Sequence, residues 1–358
     1  MRKVSFVSFY PSHDNNNIFN INSKINRDNA LEPFIHLKST FWENNISLNT
    51  QDINDICESD SVIFLRLDVK LILKAILLNK KIIYIQFEPP VVMSIHSTKN
   101  MKKLAQIFDV VLTWNDDLVD NIKFFKFYFP VPKNELINSI PYKSKKLLVN
   151  ISGFKISTYP NELYSKRIEA IKYFEENAKD QFDLFGIGWD KSFFPSYRGK
   201  IENKLEILKK YKFSVCYENM NNINGLISEK IFDCFFARCI PIFWGAENIS
   251  DYIPSDCYID KRKFTTYESL YLYILQMTEE QYNSRLQSID MYLKSEYFMQ
   301  FKSQCFSQTV LKTIKVPKNK KSTFKNYYYY YLVLYLFSQL IQRFLIKFFI
   351  KKGINNDK

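Results

Sequence analysis

The sequence predicts an α/β protein of two domains, followed by a basic, aromatic C-terminal segment. Short apolar segments alternate with longer amphipathic ones, which is typical of parallel sheets covered by helices on both faces. The chain of 358 residues is long enough for two domains of ordinary size. A segment rich in proline and lysine at 129–146 disfavours a continuous helix or strand, which places the domain boundary near residue 140.

Residues 1–140 are the first predicted domain. Its expected strands are the apolar segments KVSFVSFY, SVIFLRL, KIIYIQF and DVVLTW, with helices between them. The N-terminal segment MRKVSFVSFYPS is too short and too polar for the apolar region of a signal peptide, so we expect it to be the first strand. A cytoplasmic location follows from this interpretation.

Residues 141–314 are the second predicted domain. Its expected strands are KLLVNISGF, FDLFGIGW, KFSVCYEN and CIPIFWG, and helices are expected to close it over 265–314. Six of the seven glycines lie in this domain. Glycine permits tight turns and the close approach of a ligand, and ligands of open α/β sheets bind at the carboxyl ends of strands. The glycine distribution therefore favours nucleotide binding here, although ordinary turns would explain each glycine singly.

The net charge of +13 is concentrated in the C-terminal segment, residues 315–358. From Lys312 onward there are eleven Lys or Arg and one acid, Asp357, so the preceding residues carry only +3. Five consecutive tyrosines lead into an apolar stretch that Ser338 and Arg343 interrupt. The stretch is therefore shorter than the roughly 20 consecutive apolar residues that a membrane-spanning helix needs. We expect an amphipathic helix on an anionic membrane surface, with packing on the body or self-association as the alternatives. Nucleic-acid binding is not expected.

The segment YENMNNINGLISEKIFDCFFARCIPIFWG, residues 217–245, joins a polar loop to a mostly apolar helix. The preceding strand brings Asn219 to its carboxyl end, and the helix is expected to begin near Ser228, whose hydroxyl can cap free amides. A helix N-terminus favours a phosphate, Lys230 would add a positive charge, and Glu229 suits the two hydroxyls of a ribose. An ordinary helix cap with a solvated charge pair is the alternative.

Two more side chains are placed for chemistry. Arg167 lies near a helix start after the first strand of the second domain, where a guanidinium can bind a diphosphate, although surface arginines are also common there. Glu88 follows a buried strand and precedes two prolines. A carboxylate at a strand end facing a cleft can act as a general base, because burial raises its pKa. An ordinary acidic turn residue is the alternative.

Several function classes are disfavoured. The three histidines, His13, His36 and His96, are spaced unlike a metal site or a catalytic triad. The chain has no P-loop, no G-x-G-x-x-G and no D-x-D motif after a strand. Its six cysteines include no C-x-x-C pair, which fits a reducing compartment. A metal-independent sugar transfer remains, with a helix dipole and basic side chains offsetting the charge of a leaving diphosphate.

The segment YKFSVCYENMNNINGLISEKIFDCFFARCIPIFWG, residues 211–245, resembles the donor-binding signature of the α-1,3/4-fucosyltransferases, glycosyltransferase family 10. Looser similarity extends from LLVNISGF to about residue 310, and QFEPP resembles the short motif that carries the family's catalytic base. The resemblance implies the GT-B arrangement, in which two Rossmann-like domains face each other, and an inverting transfer from GDP-fucose.

Carried over by position, the resemblance implies that Glu88 is the base that deprotonates the acceptor hydroxyl. The diphosphate, the ribose and the donor sugar are then expected to contact Arg167, Asn219, Gly225, Glu229 and Lys230. The sequence departs from the family at Leu226, where a tyrosine is usual, and the preceding loop is one residue longer. Both departures lie in the donor pocket and leave the donor sugar open. No cofactor is expected beyond GDP-fucose as the donor substrate, and stimulation by a divalent metal is left open.

The resemblance also implies a cellular role. We expect an α-1,3-fucosyltransferase acting on a GlcNAc-type hydroxyl of a bacterial surface glycan such as lipopolysaccharide O-antigen. It would be peripheral on the cytoplasmic face of the inner membrane, since the tail resembles the membrane-associating C-termini of some bacterial members. The alternatives are a family member that uses another nucleotide sugar and a non-catalytic, membrane-bound glycan-binding protein of the same fold.

Overall fold

The computed structural model contains two parallel sheets, each flanked by helices. The residues that the structure describes are 1–132, 136–138, 140–318, 325, 327–338 and 341.

The first sheet has six parallel strands in the order β2-β1-β3-β4-β5-β6. The strands are β1 (Arg2–Val7), β2 (Ile46–Thr50), β3 (Ser61–Phe64), β4 (Lys81–Gln86), β5 (Val110–Thr113) and β6 (Phe124–Lys126). Strands β3 and β4 are buried along their whole length, because helices cover both faces of the sheet, and this explains their continuous apolar sequence. The sequence predicts β1, β3, β4 and β5 but does not separate the short β2 and β6.

Three helices belong to this sheet: α1 (Glu32–Glu43), α2 (Val69–Leu77) and α3 (Thr98–Leu104). The side chain of Asp68 accepts a hydrogen bond from the Leu71 amide at the start of α2, and Ser97 does the same for the Asn100 amide in α3. Such caps satisfy amides that have no partner within a helix, and they set where each helix begins.

The second sheet has five parallel strands in the order β11-β10-β9-β7-β8. The strands are β7 (Lys146–Ile151), β8 (Phe182–Phe185), β9 (Tyr211–Tyr217), β10 (Ile240–Trp244) and β11 (Ile259–Asp260). Its helices are α4 (Tyr164–Asn177), α5 (Lys204–Leu208) and α6 (Glu229–Phe236). Each of the four predicted strands coincides with β7, β8, β9 or β10, so the predicted α/β class is confirmed for both sheets.

In the described residues up to 318, four helices follow the second sheet, and the fourth of them packs on the first. They are α7 (Tyr267–Gln276), α8 (Glu279–Lys294), α9 (Glu296–Met299) and α10 (Ser303–Lys315). Phe306, Val310 and Leu311 of α10 are buried in the same core cluster as Phe34 of α1. The sequence groups α10 with the second domain, whereas the structure packs it on the first, because its apolar face matches that of α1.

The chain therefore crosses between the domains twice, once after β6 and once between α9 and α10. The two crossing segments pair with each other. The Val131 amide donates to the Phe301 carbonyl at 2.7 Å, and Val131 and Lys302 form a parallel bridge. The crossing segments thus form one connection between the domains.

The end of α10 is held by a lysine from the first sheet. Lys81 Nζ donates to the carbonyls of Thr313 (2.5 Å), Ile314 (2.9 Å) and Val316. The last carbonyls of a helix have no partner within the helix, so this buried ammonium supplies the missing donors. This lysine links the end of α10 to the first residue of β4.

A further helical segment, the tail helix (residues 327–338), lies against the first domain. Leu332 is fully buried in the core cluster on the other face of the first sheet. The Tyr331 hydroxyl donates to Asn100 Oδ1 at 3.0 Å, and the Tyr335 hydroxyl donates to Ser94 Oγ at 2.7 Å. One face of the tail helix therefore packs on the first domain, which was one of the alternatives predicted for the C-terminal segment.

The opposite face of the tail helix is apolar and exposed. Its side chains Tyr327, Tyr330, Leu334 and Phe337 are between 61% and 68% exposed. Across the described ranges, no helix has the length and hydropathy needed to cross a bilayer. Residues 342–358, with much of the predicted membrane-binding segment, lie outside the described residues.

Replacing Lys81 with methionine should lower the free energy of unfolding by about 2 kcal/mol, because a buried polar group left without a partner costs roughly 1–3 kcal/mol. Urea denaturation followed by circular dichroism would measure the change. Lys70→Met, on the exposed side of α2, is the matched control and should leave the midpoint unchanged. Equal midpoints for the two variants would contradict the role assigned to Lys81.

Candidate active site

The carboxyl ends of strands from both sheets line a cleft that holds two adjoining cavities. The polar cavity, of about 230 Å³, lies in the second domain. The side chains with charged or amide groups that line it are Lys155, Arg167, Lys204, Asn219, Glu229 and Lys230. The aromatic cavity, of about 390 Å³, lies between the domains and shares Asn219, Glu229 and Lys230 with the polar cavity. A molecule that fills both cavities would pass these three residues.

The start of α6 is organised by Glu218, the residue that follows β9. Glu218 Oε1 accepts from the Ser228 amide (2.8 Å) and hydroxyl (2.7 Å), and Oε2 accepts from Lys230 Nζ (2.8 Å). Ser228 is the N-cap residue, as predicted, but its side chain makes no capping bond to the helix amides. The predicted hydroxyl cap is therefore wrong: the hydroxyl donates to Glu218, and its oxygen accepts from Lys230 Nζ (3.0 Å) instead of from a helix amide. Ser228 thus leaves the first amides of α6 without a cap from its side chain, at a helix start whose residues Glu229 and Lys230 line the polar cavity.

Lys230 lies at the junction of the two cavities with its ammonium partly exposed. Burial alone would lower its pKa, but the carboxylates of Glu218 and Glu229 raise it. Lys230 is therefore charged at neutral pH. Its side chain is 31% exposed while that of Glu218 is 2% exposed, so one side of the ammonium is paired and the other side can meet an anion.

Arg167 lies in the first turn of α4 and lines the polar cavity. One guanidinium nitrogen, Nη2, donates to the carbonyls of Tyr217 (2.9 Å) and Glu218 (3.1 Å). These two bonds hold the guanidinium against the end of β9 and orient it. The structure therefore brings Arg167 and Lys230 to one cavity, as the sequence predicts for a diphosphate site.

Glu229 and Asn219 line both cavities. Burial would raise the pKa of Glu229, but the ammonium groups of Lys230 and Lys204 lower it, so the carboxylate stays ionised. An ionised carboxylate beside the polar cavity can accept hydrogen bonds from paired hydroxyls.

Gly225 lies at the domain interface. Its φ of +81° favours glycine, and a Cβ there would lie 2.3 Å from the Trp114 carbonyl oxygen of the first domain. Its amide donates to Asn248 Oδ1 at 2.9 Å. Gly225 therefore allows the loop before α6 to pack closely against the first domain. Its predicted contact with the donor stays a prediction.

Glu88 projects from the first domain into the aromatic cavity, which Glu229 and Lys230 reach from the second. Burial raises the pKa of Glu88, and the nearby ammonium groups of Lys155 and Lys230 oppose that rise. A carboxylate with a raised pKa is a stronger base than an ordinary glutamate. The sequence-predicted base therefore lines one cavity with Glu229 and Lys230, while Arg167 lies in the adjoining polar cavity.

Aromatic rings form much of the wall around Glu88. Phe87 contacts the ring of Phe9 at 5.1 Å between centroids, that of Phe129 at 5.9 Å and that of Phe34 at 6.1 Å. Leu226, at the position where the sequence departs from the family pattern, is 2% exposed and lines the same cavity. Aromatic and aliphatic walls with a few placed polar groups are typical of small-molecule sites.

Sequence reasoning did not identify three residues of the site. Glu218 was visible as the acid of the Y-E-N motif, but its role depends on the fold that brings Ser228 and Lys230 beside it. Lys204 bonds Asp233 Oδ2 at 2.6 Å, and Lys155 is an exposed loop residue. Nothing in the sequence distinguishes these two lysines from the many others, because their position depends on how the second sheet places its loops.

Among the described residues, no cluster of three or more His, Cys, Asp or Glu side chains has the arrangement to hold a metal ion.

Comparisons with known proteins point to one family. Residues 142–331, slightly more than half of the chain, match the family model described as glycosyltransferase family 10 (fucosyltransferase), C-terminal part. An α-(1,3)-fucosyltransferase of Helicobacter pylori is 32% identical over 74 residues, which are 21% of this chain and 15% of that protein. An α-(1,4)-fucosyltransferase of Arabidopsis thaliana is 30% identical over 70 residues, which are 20% and 17% of the two chains. These alignments span less than a fifth of either relative.

Solved structures share the fold over most of the chain. A crystal structure of an α1,3-fucosyltransferase has a TM-score of 0.56 at 14% identity and covers 89% of this chain and 91% of its own. A crystal structure of an α1,3-fucosyltransferase with GDP-fucose has a TM-score of 0.52 at 15% identity, with the same coverage. An α-glucosyltransferase in complex with UDP and DNA has a TM-score of 0.53 at 11% identity and covers 88% of this chain and 99% of its own. These likenesses confirm the predicted GT-B-like arrangement of two facing α/β domains.

Replacing Lys230 with methionine should weaken GDP binding about 10- to 100-fold, because the ammonium predicted to contact the phosphates is lost while the aliphatic stem remains. Isothermal titration calorimetry would measure the dissociation constant. Lys166→Met removes an exposed lysine of α4 that pairs with Glu169 on the surface, and it should leave GDP binding unchanged. A Lys230→Met dissociation constant within twofold of the wild-type value would contradict a phosphate-binding role.

Proposed function

The chain belongs to glycosyltransferase family 10, the fucosyltransferase family, and we propose that it transfers fucose from GDP-fucose to a sugar hydroxyl with inversion at the anomeric carbon. One observation carries the proposal: Glu88 of the first domain lines the same cavity as Glu229 and Lys230 of the second. Inverting transfer needs a base on one side of the anomeric carbon and a site for the leaving group on the other. This cleft supplies both.

In the proposed complex the diphosphate lies in the polar cavity. Arg167 and Lys230 neutralise its charge, and the uncapped amides at the start of α6 add a partial positive charge. Glu229 accepts hydrogen bonds from the ribose hydroxyls, and Asn219 contacts the sugar or the phosphate where the two cavities meet. The fucosyl group then extends into the aromatic cavity.

The proposed reaction is a direct displacement. Glu88 removes the proton from the acceptor hydroxyl, and the oxygen forms a bond to the anomeric carbon as the bond from that carbon to the β-phosphate oxygen breaks. The electron pair leaves with GDP, whose added negative charge develops beside Lys230 and the start of α6. Burial raises the pKa of Glu88, so it accepts the proton more readily than an exposed glutamate.

The acceptor sugar and the linkage are also part of the proposal. We propose an α-1,3 linkage to a GlcNAc-type hydroxyl of a bacterial surface glycan such as lipopolysaccharide O-antigen. The α-(1,3) specificity named for the Helicobacter pylori relative supports the linkage, and the aromatic wall suits the apolar face of a sugar ring. We also propose that transfer needs no cofactor, so activity should survive chelation by EDTA.

We propose further that the protein is peripheral on the cytoplasmic face of the inner membrane, bound through residues 315–358. Two observations support this. The tail helix keeps an exposed apolar face, at Leu334 and Phe337 among others, after its other face has packed on the body. The segment also carries nearly all the excess positive charge of the chain, which attracts anionic lipids.

A second candidate function is transfer from a different nucleotide sugar. Leu226 favours it, because this residue lines the aromatic cavity that would receive the donor sugar and replaces the tyrosine usual in the family. A panel of nucleotide sugars assayed with an N-acetyllactosamine-type acceptor, with products identified by mass spectrometry, separates the two. Turnover of another donor with none of GDP-fucose would reject the first choice.

Replacing Glu88 with glutamine should lower kcat by about 10²- to 10⁴-fold and leave GDP binding intact, because the amide cannot accept the proton. For the wild type, activity should fall as pH falls through the raised pKa of Glu88, at a higher pH than the value of about 4.3 for an ordinary glutamate. Glu176→Gln, an exposed acid of α4, is the control. Equal turnover by the Glu88 and Glu176 variants would refute the base assignment.

Replacing Leu334 and Phe337 together with serine should abolish sedimentation with vesicles of anionic phospholipid, because both side chains lie on the exposed apolar face. The experiment uses full-length variants, so that the other face of the tail helix remains packed on the first domain. The control replaces Ile122 and Met291, which are 82% and 73% exposed on other surfaces, with serine. Equal sedimentation of the two double variants would reject the tail as the membrane contact.

A further inference from the structure

The turn that carries Glu88 is held through its carbonyl groups by two buried side chains. Trp114 Nε1 donates to the Phe87 carbonyl at 3.0 Å, and His96 Nδ1 lies 2.7 Å from the Glu88 carbonyl oxygen. Glu88 is followed by two prolines, which have no backbone N–H to donate. The turn after β4 therefore depends on donors that come from elsewhere in the chain.

The hydrogen bonds of His96 define its tautomer. A carbonyl oxygen only accepts, so Nδ1 carries the proton and donates to Glu88. The other nitrogen, Nε2, lies 2.7 Å from the Tyr84 hydroxyl and accepts from it. Burial lowers the pKa of His96 to about 4, so the neutral form with this single proton persists at neutral pH. A histidine held in this way donates in one direction only.

His96 is also fixed in place. It is 1% exposed, and Tyr84, which is fully buried, stacks on Phe108 at 4.9 Å between ring centroids. Gln86, the last residue of β4, has its amide 3.4 Å from the His96 carbonyl. The ring thus links the middle of β4 to the turn that follows the same strand.

We propose that His96 is a positioning residue for the catalytic base. Its Nδ1–H holds the Glu88 carbonyl, and with it the backbone from which the carboxylate projects into the aromatic cavity. A general base works only within hydrogen-bond reach of the proton it removes, and small displacements cost rate rather than binding. The role rests on the proposed function, since it requires Glu88 to be the base.

Two substitutions of His96 separate positioning from packing. Asparagine places an amide N–H close to where Nδ1–H lies, so His96→Asn keeps the donor to Glu88 and loses the partner of Tyr84. Glutamine reaches toward the Nε2 position, so His96→Gln keeps the partner of Tyr84 and loses the donor to Glu88. Both leave a space in the core, and both should lower the melting temperature by similar amounts.

We expect kcat of His96→Asn within about threefold of the wild type and kcat of His96→Gln lower by about tenfold or more. KM for the donor should stay unchanged in both, because the polar cavity belongs to the other domain. Tyr84→Phe, which keeps the ring and removes the hydroxyl, is the control and should behave like His96→Asn. Equal kcat for the two His96 variants, whether high or low, would overturn the proposal.

The assay uses whichever nucleotide sugar the wild type turns over in the donor panel. A wrong donor assignment therefore leaves the comparison of the two variants intact, and failure of the proposed function is seen separately in the wild-type panel. If Glu88→Gln keeps full activity while His96→Gln loses it, Glu88 is not the base and the positioning role falls with it.

Discussion

The ion pair between Glu218 and Lys230 is the interaction on which the rest of the site depends. Glu218 is 1% exposed, and a carboxylate so deeply buried is tolerated only when it is paired and hydrogen-bonded. Its amide donates to the Trp244 carbonyl at 2.8 Å, and its carbonyl accepts from Arg167. One residue thus joins the ends of β9 and β10 to the first turns of α4 and α6. Gly245 makes room for it, since a Cβ there would lie 2.7 Å from Glu218 Cγ.

Much of the fold follows from local sequence. Strands such as β4 are predicted because a strand buried on both faces is apolar along its length. A short helix on the surface of a domain is apolar on one face only, so the two patterns differ. Strand β6, with three residues, carries too few side chains for a pattern. The packing of α10 on α1 was not predictable, because its apolar face specifies burial but not the domain that buries it. That choice depends on contacts such as Phe34 with Phe306, which are distant in sequence.

The candidate site was predictable to the extent that one contiguous motif carries it. Residues 219–230 lie together in sequence, so resemblance alone predicts Asn219, Glu229 and Lys230 as a group. Glu88 comes from another domain, and only the fold shows that it faces them. The proposed contribution of His96 depends on its hydrogen bonds to Glu88 and Tyr84, and the sequence pattern around a single buried histidine does not predict such partners. The tyrosines of the tail helix were equally hard to assign, since Tyr331 and Tyr335 bond to Asn100 and Ser94 of the first domain while Tyr327 and Tyr330 stay exposed.

The double crossing between the domains has a consequence for how the cleft can move. Because α10 is fixed on the first domain and its preceding segment pairs with the segment after β6, the two connections cannot flex independently. Opening the cleft must bend both at one hinge, close to the paired residues Val131 and Lys302. Two neighbouring connections resist twisting more than one does, so the pairing restricts how the two sheets can rotate relative to each other.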